Sequence, residues 1–409
     1  MKSKITRRNK KQKGGILLKM KANEAFAYFV NNSTIKLLTD GSSFGIILKA
    51  KLNTNLESPY EIFGVDNFKQ PVQNLLIKIV ALSPDELDED DNFWSYLNGE
   101  TKQIDLQENF IKEVNVQTDI FFKTMEYLEP LCPAPVYSTI IDDRLKMKKL
   151  IELLDFRTQD YYTKTVFSKI IDNIYKHRIP SFGIIGMEIA EDFDTMSQFY
   201  NDCEKESDPS FMNYYEWCEQ MCKLQILNLA LKTGYSQNDF HRGNLLINPK
   251  YKGFYKDLDG KVIIIDFGFA TKLSPDNLAI IQENYNQGKY SEALKVFKTL
   301  SRSDELEIKE YPTFYGWLYN DDKSFKNRSK LVKLKDKNYD KKINELIQRE
   351  EAAIDDRIKY FDEKHRIEPD KYPLLPLSNA IKNSFFQGMI EGGKKNDRKK
   401  NNRKTRKQR

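Results

Sequence analysis

The sequence predicts an α+β protein, with a small antiparallel β-rich amino-terminal part, a mainly helical carboxy-terminal part and disordered basic tails. Three observations lead there. Short apolar runs beside glycines and turn residues cluster before residue 81, helical spacing of apolar residues dominates after residue 107, and Lys and Arg concentrate at the two ends.

The β-rich part begins with residues 34–51, where Ile46, Ile47 and Leu48 follow glycines and suggest a strand, a turn and a second strand. Asn74–Val80 suggests a third. Residues 81–107 open with the acidic run Asp85–Asp91 and read as a solvated acidic insertion. Glu108–Leu128 then reads as a helix. Tyr214–Leu231 has Trp217, Met221, Leu224, Leu227 and Leu231 on or near one helical face, and Lys261–Ile265 is a short apolar strand after the Asp259-Gly260 turn. Beyond Leu273 the pattern is helical, including the highly charged stretch 337–365. No internal repeat is visible.

At 409 residues and 40% hydrophobic content the chain can bury a real core. Residues 1–13 carry seven Lys/Arg and no acid, and 394–409 carry ten against Asp397 alone; the remainder is left at −10 although the whole chain is +6. The ends cannot bury enough apolar surface to fold alone, so disorder is expected at 1–21 and 394–409, with 22–393 as the folded domain. Such tails suit contact with nucleic acid or acidic partners. Cys132, Cys203, Cys218 and Cys222 lack paired metal-ligand spacing and read as reduced thiols, while His177, His241 and His365 form no zinc motif. No run approaches the roughly 18 apolar residues of a membrane span, and no sustained apolar core follows the basic amino terminus. A soluble, intracellular protein without membrane contact is expected.

The chemistry is concentrated in Gln237-Asn238-Asp239-Phe240-His241-Arg242-Gly243-Asn244-Leu245-Leu246-Ile247, followed by Ile264-Ile265-Asp266-Phe267-Gly268. Phosphoryl transfer asks the protein to position a hydroxyl acceptor and to neutralise triphosphate charge with metal ions. In that scheme Asp239 is the base that accepts the hydroxyl proton, and Asn244 and Asp266 are oxygen ligands for Mg2+, a hard cation. Lys78, inside the apolar strand around Leu76 and Val80, needs a partner such as phosphate oxygens and a carboxylate. Glu113 is the candidate carboxylate, with Glu108 its competitor. The hairpin turn Gly41, Ser42, Ser43, Phe44 and Gly45 offers backbone N–H groups to phosphate. Backbone near Glu188 and Ala190 would read an adenine edge, between apolar walls of Ile47, Leu76, Met187 and Leu246.

Taken together, these residues resemble the protein-kinase-like superfamily over roughly 34–275. The resemblance implies a two-lobed fold with an N-lobe over about 30–187 and a C-lobe over about 191–393, and it implies ATP and Mg2+ as cofactors. Glu113–Ile120 and Leu128-Glu129-Pro130-Leu131-Cys132-Pro133, with the tails, look like the atypical Ser/Thr kinases of giant nucleocytoplasmic DNA viruses, implying a place in host cytoplasm or virion. Several positions depart from the family pattern. Gln237 stands at the usual histidine, Asn238 at the usual arginine or glycine, and His241 at the usual lysine. The loop looks closer to the Asp-Leu-His-Pro-Gly-Asn loops of aminoglycoside and choline kinases. No Ala-Pro-Glu follows Asp266-Phe267-Gly268, and Trp317 lacks the context of the family's later tryptophan. The resemblance therefore implies a phosphotransferase acting on protein Ser/Thr, with a small-molecule hydroxyl as alternative. A second alternative is a pseudokinase that serves as a virion or nucleic-acid-associated binding module.

Overall fold

The computed structural model describes residues 22–39, 44–53, 74–88, 91–125, 130–190, 192–205, 209–252 and 259–299, together with residues 344, 345 and 348. Both basic tails, Gly41, Ser42, Ser43, Trp317 and nearly all of 337–365 lie outside these residues.

The described chain is α+β. Helix α1 (Ala22–Asn31) leads into β1 (Ser33–Thr39), β2 (Gly45–Leu52) and β3 (Asn74–Ser83). These strands join β8 (Ser181–Glu188) and β7 (Pro135–Ile141) in a sheet of order β1-β2-β3-β8-β7, antiparallel along that path, and β6 (Asp105–Leu106) pairs in parallel with the end of β3. Register places Ile47 opposite Lys78, Lys78 opposite Ile185, and Leu76 opposite Met187. Directly opposed residues share a face, so Ile47, Leu76, Lys78, Ile185 and Met187 look out on one side of the sheet. Ile46, Leu48, Leu75, Ile77 and Ile79 look out on the other.

Each face has its own cover. On the Lys78 side lies helix α2 (Gln107–Met125), whose Phe110 and Val114 pack with Val80, Leu82, Ile185 and Met187. Spaced four apart, these two side chains fall on one helical face. Glu108 in the first turn and Lys123 in the last complement the helix dipole. On the other side the core takes Phe26, Phe29 and Val30 of α1 and the inward residues of a helical hairpin, α3 (Arg144–Arg157) and α4 (Tyr161–Tyr175). Met147, Ile151 and Leu154 of α3 and Val166, Phe167, Ile170 and Ile174 of α4 recur at helical spacing and are buried. Asp143 and Asp160 cap the two helices by accepting from the Lys146 and Thr163 N–H groups.

The stretch 81–107 differs from the solvated insertion its acidic run suggested. Pro84, Asp85, Glu86 and Asp88 are exposed, but Trp94, Tyr96, Leu97 and Ile104 are buried in the same core as α3 and α4. A small hairpin, β4 (Phe93–Ser95) and β5 (Thr101–Gln103), carries part of this apolar set inward. Six carboxylates within Asp85–Asp91 dominate the local composition and mask the apolar residues behind them.

The rest is mainly helical and has a separate core. Helices α5 (Met196–Lys205) and α6 (Pro209–Thr233), the antiparallel pair β11 (Leu245–Lys252) and β12 (Asp259–Ile264), and helices α7 (Pro275–Asn286) and α8 (Tyr290–Lys295) surround it. The two-residue strand β9 (Asp194–Thr195) adds to β11. The carboxy-terminal half of α2, through Val116, Ile120, Phe121 and Phe122, belongs to this core. Helix α2 thus packs at one end against the large sheet and at the other against the helical part. No described helix is long and apolar enough to cross a membrane.

Candidate active site

Lys78 stands mid-strand on β3 and points from the sheet toward α2. Its Nζ lies 2.7 Å from Glu113 Oε1, with the two side chains only 15% and 8% exposed. Burial alone would lower the Lys78 pKa, but the carboxylates of Glu113 and Asp266 outweigh it and hold the ammonium above its ordinary 10.5. Burial pushes the Glu113 carboxyl up while Lys78 pulls it down. A salt bridge this short, between nearly buried groups, is an ammonium–carboxylate pair. Glu108 is exposed on the first turn.

The segment carrying Asp239 is built from β10 (Tyr235–Ser236), which pairs antiparallel with β13 (Thr271–Lys272). Between these strands, side chains of the first arm hold the backbone of the second. The buried Gln237 donates through Nε2 to the carbonyls of Ile265 at 3.1 Å and Asp266 at 2.6 Å, and its Oε1 accepts from the Asp239 N–H at 2.8 Å. Asn238 Nδ2 donates to the Phe269 carbonyl at 3.0 Å and to Thr271 Oγ1 at 2.8 Å. Asn238 and Asp266 have φ of 65° and 61°, in the left-handed region, where Asn and Asp are the least penalised non-glycine residues. Phe267 is fully buried in the helical core, which anchors the turn that presents Asp266.

Asn244 Nδ2 donates to both the carbonyl and Oδ2 of Asp239, at 3.1 and 3.0 Å. With its nitrogen so placed, the amide oxygen is the atom left to meet a cation. The Asn244 carbonyl accepts from the Ile265 N–H at 3.0 Å, so the two arms are joined a second time beside the carboxylates. His241 Nδ1 accepts from the Gly243 N–H at 3.0 Å, which puts the proton of the neutral ring on Nε2, 3.6 Å from Asp239 Oδ2. Asp266 is solvent-exposed.

Other expected site residues fall as follows. Ile47, Leu76 and Met187 share the Lys78 face of the sheet. Leu246 is half-buried between Leu245 and Ile247, both buried in the helical core, so by strand alternation it faces away from that core. Phe44 is half-buried and packs against the cluster that holds Val80, Phe110 and Val114, and Gly45 opens β2 opposite Val80. At Glu188 the backbone N–H donates to the Ala134 carbonyl at 2.9 Å, and the side chain accepts from the Ala134 N–H. An adenine edge would therefore have to be read through the Glu188 carbonyl and the groups of Ala190.

Residues 130–134 tie the two regions together. The Leu131 carbonyl accepts from the Ile264 N–H at 2.7 Å, its N–H donates to Thr124 Oγ1 of α2, and Gln117 of α2 donates to the Pro133 carbonyl. The strand leading to Asp266 and the helix carrying Glu113 are thus bonded to one segment. Among the described residues no group of three His, Cys, Asp or Glu is placed to hold a metal alone. The available oxygens are the Asp266 carboxylate and the Asn244 amide. That set fits Mg2+, which takes one or two protein oxygens and fills the remaining positions with water and phosphate.

Sequence reasoning read Gln237 as a lost histidine and missed its bridging role. Only the pairing of β10 with β13 brings it to carbonyls 28 and 29 residues away.

No family model matches the chain, and no curated protein matches it. Among solved structures, WaaP in complex with acyl carrier protein superposes over 80% of this chain and 90% of that chain, at 12% identity and a TM-score of 0.29. At that score the overlap bears on neither activity nor residues.

Proposed function

We propose that the chain is an ATP- and Mg2+-dependent phosphotransferase of the kinase-like type, with the large sheet and α2 as one lobe and the helical part as the other. The observation that carries this reading is the Lys78–Glu113 pair, held at 2.7 Å and within the electrostatic reach of Asp266. A strand ammonium, a helix carboxylate and a turn carboxylate from three distant segments meet where triphosphate charge would need to be balanced. Bound Mg2+ would neutralise that charge and polarise the transferring phosphoryl group.

The chain's own residues do the rest. Lys78, kept cationic and oriented by Glu113, binds phosphate oxygens. Asp239, its Oδ2 fixed by Asn244, orients the acceptor hydroxyl and takes its proton as the new P–O bond forms and the bond to the ADP leaving group breaks. Gln237 keeps the backbone of Asp239 in register with that of Asp266. This bridge answers one motive of the pseudokinase reading, the missing histidine; the other, a loop with only Gly41 and Gly45, is untouched by it. The acceptor is an alcohol, with protein Ser/Thr as the first reading. A small-molecule hydroxyl is the alternative, for which the likeness of the loop around Asp239 and His241 to those of aminoglycoside and choline kinases speaks.

The test is Mg2+-dependent ATP consumption by purified wild type, Asp239→Ala and Asp266→Ala, with protein and amino-sugar acceptors supplied separately. Turnover in wild type and its loss in both variants is expected. Equal rates in all three would refute the assignment.

A further inference from the structure

We propose that the outward face of the α3–α4 hairpin is a platform for single-stranded nucleic acid, on the side of the sheet away from Lys78. The inward residues of both helices pack with Ile77, Ile79 and Ile184, so the hairpin covers the face opposite the candidate active site. Its outer surface carries aromatic rings that a surface helix has no folding reason to display. Phe156 is 77% exposed, Tyr161 84% and Tyr175 58%. On α3 the exposed Leu145, Lys149, Glu152 and Phe156 recur at spacings of four, three and four, forming one stripe. On α4 Tyr161, Lys164, Ser168 and Tyr175 form another. Rings therefore stand at both ends of a surface about 20 Å long, with lysines between them.

Charge selects the occupant. Arg144, Lys146, Lys149, Lys164, Lys169, Lys176 and Arg178 are exposed over residues 142–178, against exposed Asp142, Asp143 and Glu152. With the half-buried groups included, residues 142–178 hold nine Lys/Arg against six Asp/Glu, a net +3 in a chain whose middle, between the tails, is at −10. Asp143 is engaged as a helix cap and Lys176 pairs with Asp172, but Lys146, Lys149, Lys164 and Lys169 have no ion-pair partner among the described residues. Lys148 sits 5.0 Å from the Tyr175 ring and Arg157 5.4 Å from Phe156, so cations already flank the rings. Cations alternating with exposed aromatic rings fit a strand of phosphates whose unpaired bases can stack. Duplex bases are already stacked on each other, and an anionic lipid surface, which would also accept tyrosine rings beside lysines, gives no reason to prefer a base-bearing over an abasic oligomer.

The basic tails would also attract any polyanion, but residues 1–13 and 394–409 contain no aromatic residue. Stacking therefore separates the hairpin from the tails. Fluorescence anisotropy with the full chain would compare an oligothymidylate of about 16 nucleotides with an abasic oligomer of equal length. Wild type is expected to prefer the base-bearing oligomer by roughly tenfold or more. The triple variant Phe156→Ala, Tyr161→Ala, Tyr175→Ala should lose that preference while still binding both weakly. The quadruple variant Lys146→Gln, Lys149→Gln, Lys164→Gln, Lys169→Gln should lower the slope of log K against log salt by about 3. Photocrosslinking of a bromodeoxyuridine oligomer to wild type needs no folded variant and should label the hairpin at Tyr161 or Tyr175. Equal affinity for the two oligomers, a ring variant that keeps the preference, or crosslinks confined outside 144–178 would overturn the proposal. So would ring-dependent binding to phosphatidylserine vesicles without any oligomer preference, which would make the face a membrane contact. None of these outcomes depends on ATP turnover.

Discussion

Gln237 makes three hydrogen bonds in a fully buried position, and alanine there would leave two backbone carbonyls and the Asp239 N–H without their partner. Unsatisfied buried polar groups cost about 1–3 kcal/mol each, partly relieved by relaxation, so Gln237→Ala should lose about 2–4 kcal/mol in urea unfolding. Gln237→His, which keeps a ring N–H able to reach one carbonyl, should lose about half of that. The Lys78–Glu113 pair gives a second residue-scale expectation. Lys78→Met strands a buried carboxylate and should cost about 3 kcal/mol, most of it recovered in Lys78→Met/Glu113→Gln, where neither charge remains. The pH dependence follows from the raised Lys78 pKa. The folded state holds that proton more tightly than the unfolded chain, so the stabilisation is complete below pH 10.5 and is lost as pH rises through the folded value. Urea midpoints of wild type should therefore fall more steeply above pH 10.5 than those of Lys78→Met. A parallel decline would show that the pair does not couple to folding. Asp239, Asn244 and Asp266 were legible in the sequence because they sit in two short local segments. The work of Gln237 was not, because its partners are set by strand pairing.

Helix α2 owes its position to a glycine on the neighbouring strand. A Cβ on Gly183 would lie 2.6 Å from the Phe110 ring and 2.7 Å from Leu82, so only glycine lets α2 approach the sheet this closely. Gly183→Ala should push Phe110 outward and, one turn on, draw Glu113 away from Lys78. Overpacking of this kind costs about 1–3 kcal/mol, and Phe110→Leu in the same chain should restore part of it by making room. Additive losses in the double variant would mean that the glycine serves some purpose other than admitting the ring. The elements themselves were unevenly legible. The three amino-terminal strands, α2, α6 and β12 were read to within a few residues because each has a clear period or a turn signal. Strand β3 runs on to Ser83, and the burial of Trp94, Tyr96 and Ile104 went unread behind acidic neighbours. The α3–α4 hairpin carried no motif and was not anticipated, although its buried residues show helical spacing once the boundaries at Asp143 and Asp160 are known.

At the scale of the molecule, the proposed site draws on β3, α2, the 237–244 segment and the 264–268 turn, which belong to different cores. Phe110 and Val114 of α2 pack with the sheet, while Val116, Ile120 and Phe121 pack with the helical part, so this one helix joins both. A ligand that bridges Lys78 and Asp266 binds only when both parts are folded and held in register, and its binding energy must stabilise them together. At a hundredfold excess over its dissociation constant, a non-hydrolysable ATP analogue with Mg2+ should add about 2.7 kcal/mol. That corresponds to a rise in melting temperature of roughly 3 °C for a chain of this size. Amide exchange should slow both along β2–β3 and around Asn238, Asn244 and Ile265, since the two regions would be clamped at once. Asp266→Ala should abolish the shift while leaving the melting of the unliganded chain within a few degrees, because Asp266 is exposed and only its backbone enters the bridge from Gln237. Protection confined to the β-rich part, or a shift that survives Asp266→Ala, would separate nucleotide binding from the carboxylate turn and remove the basis for treating the two parts as one catalytic unit.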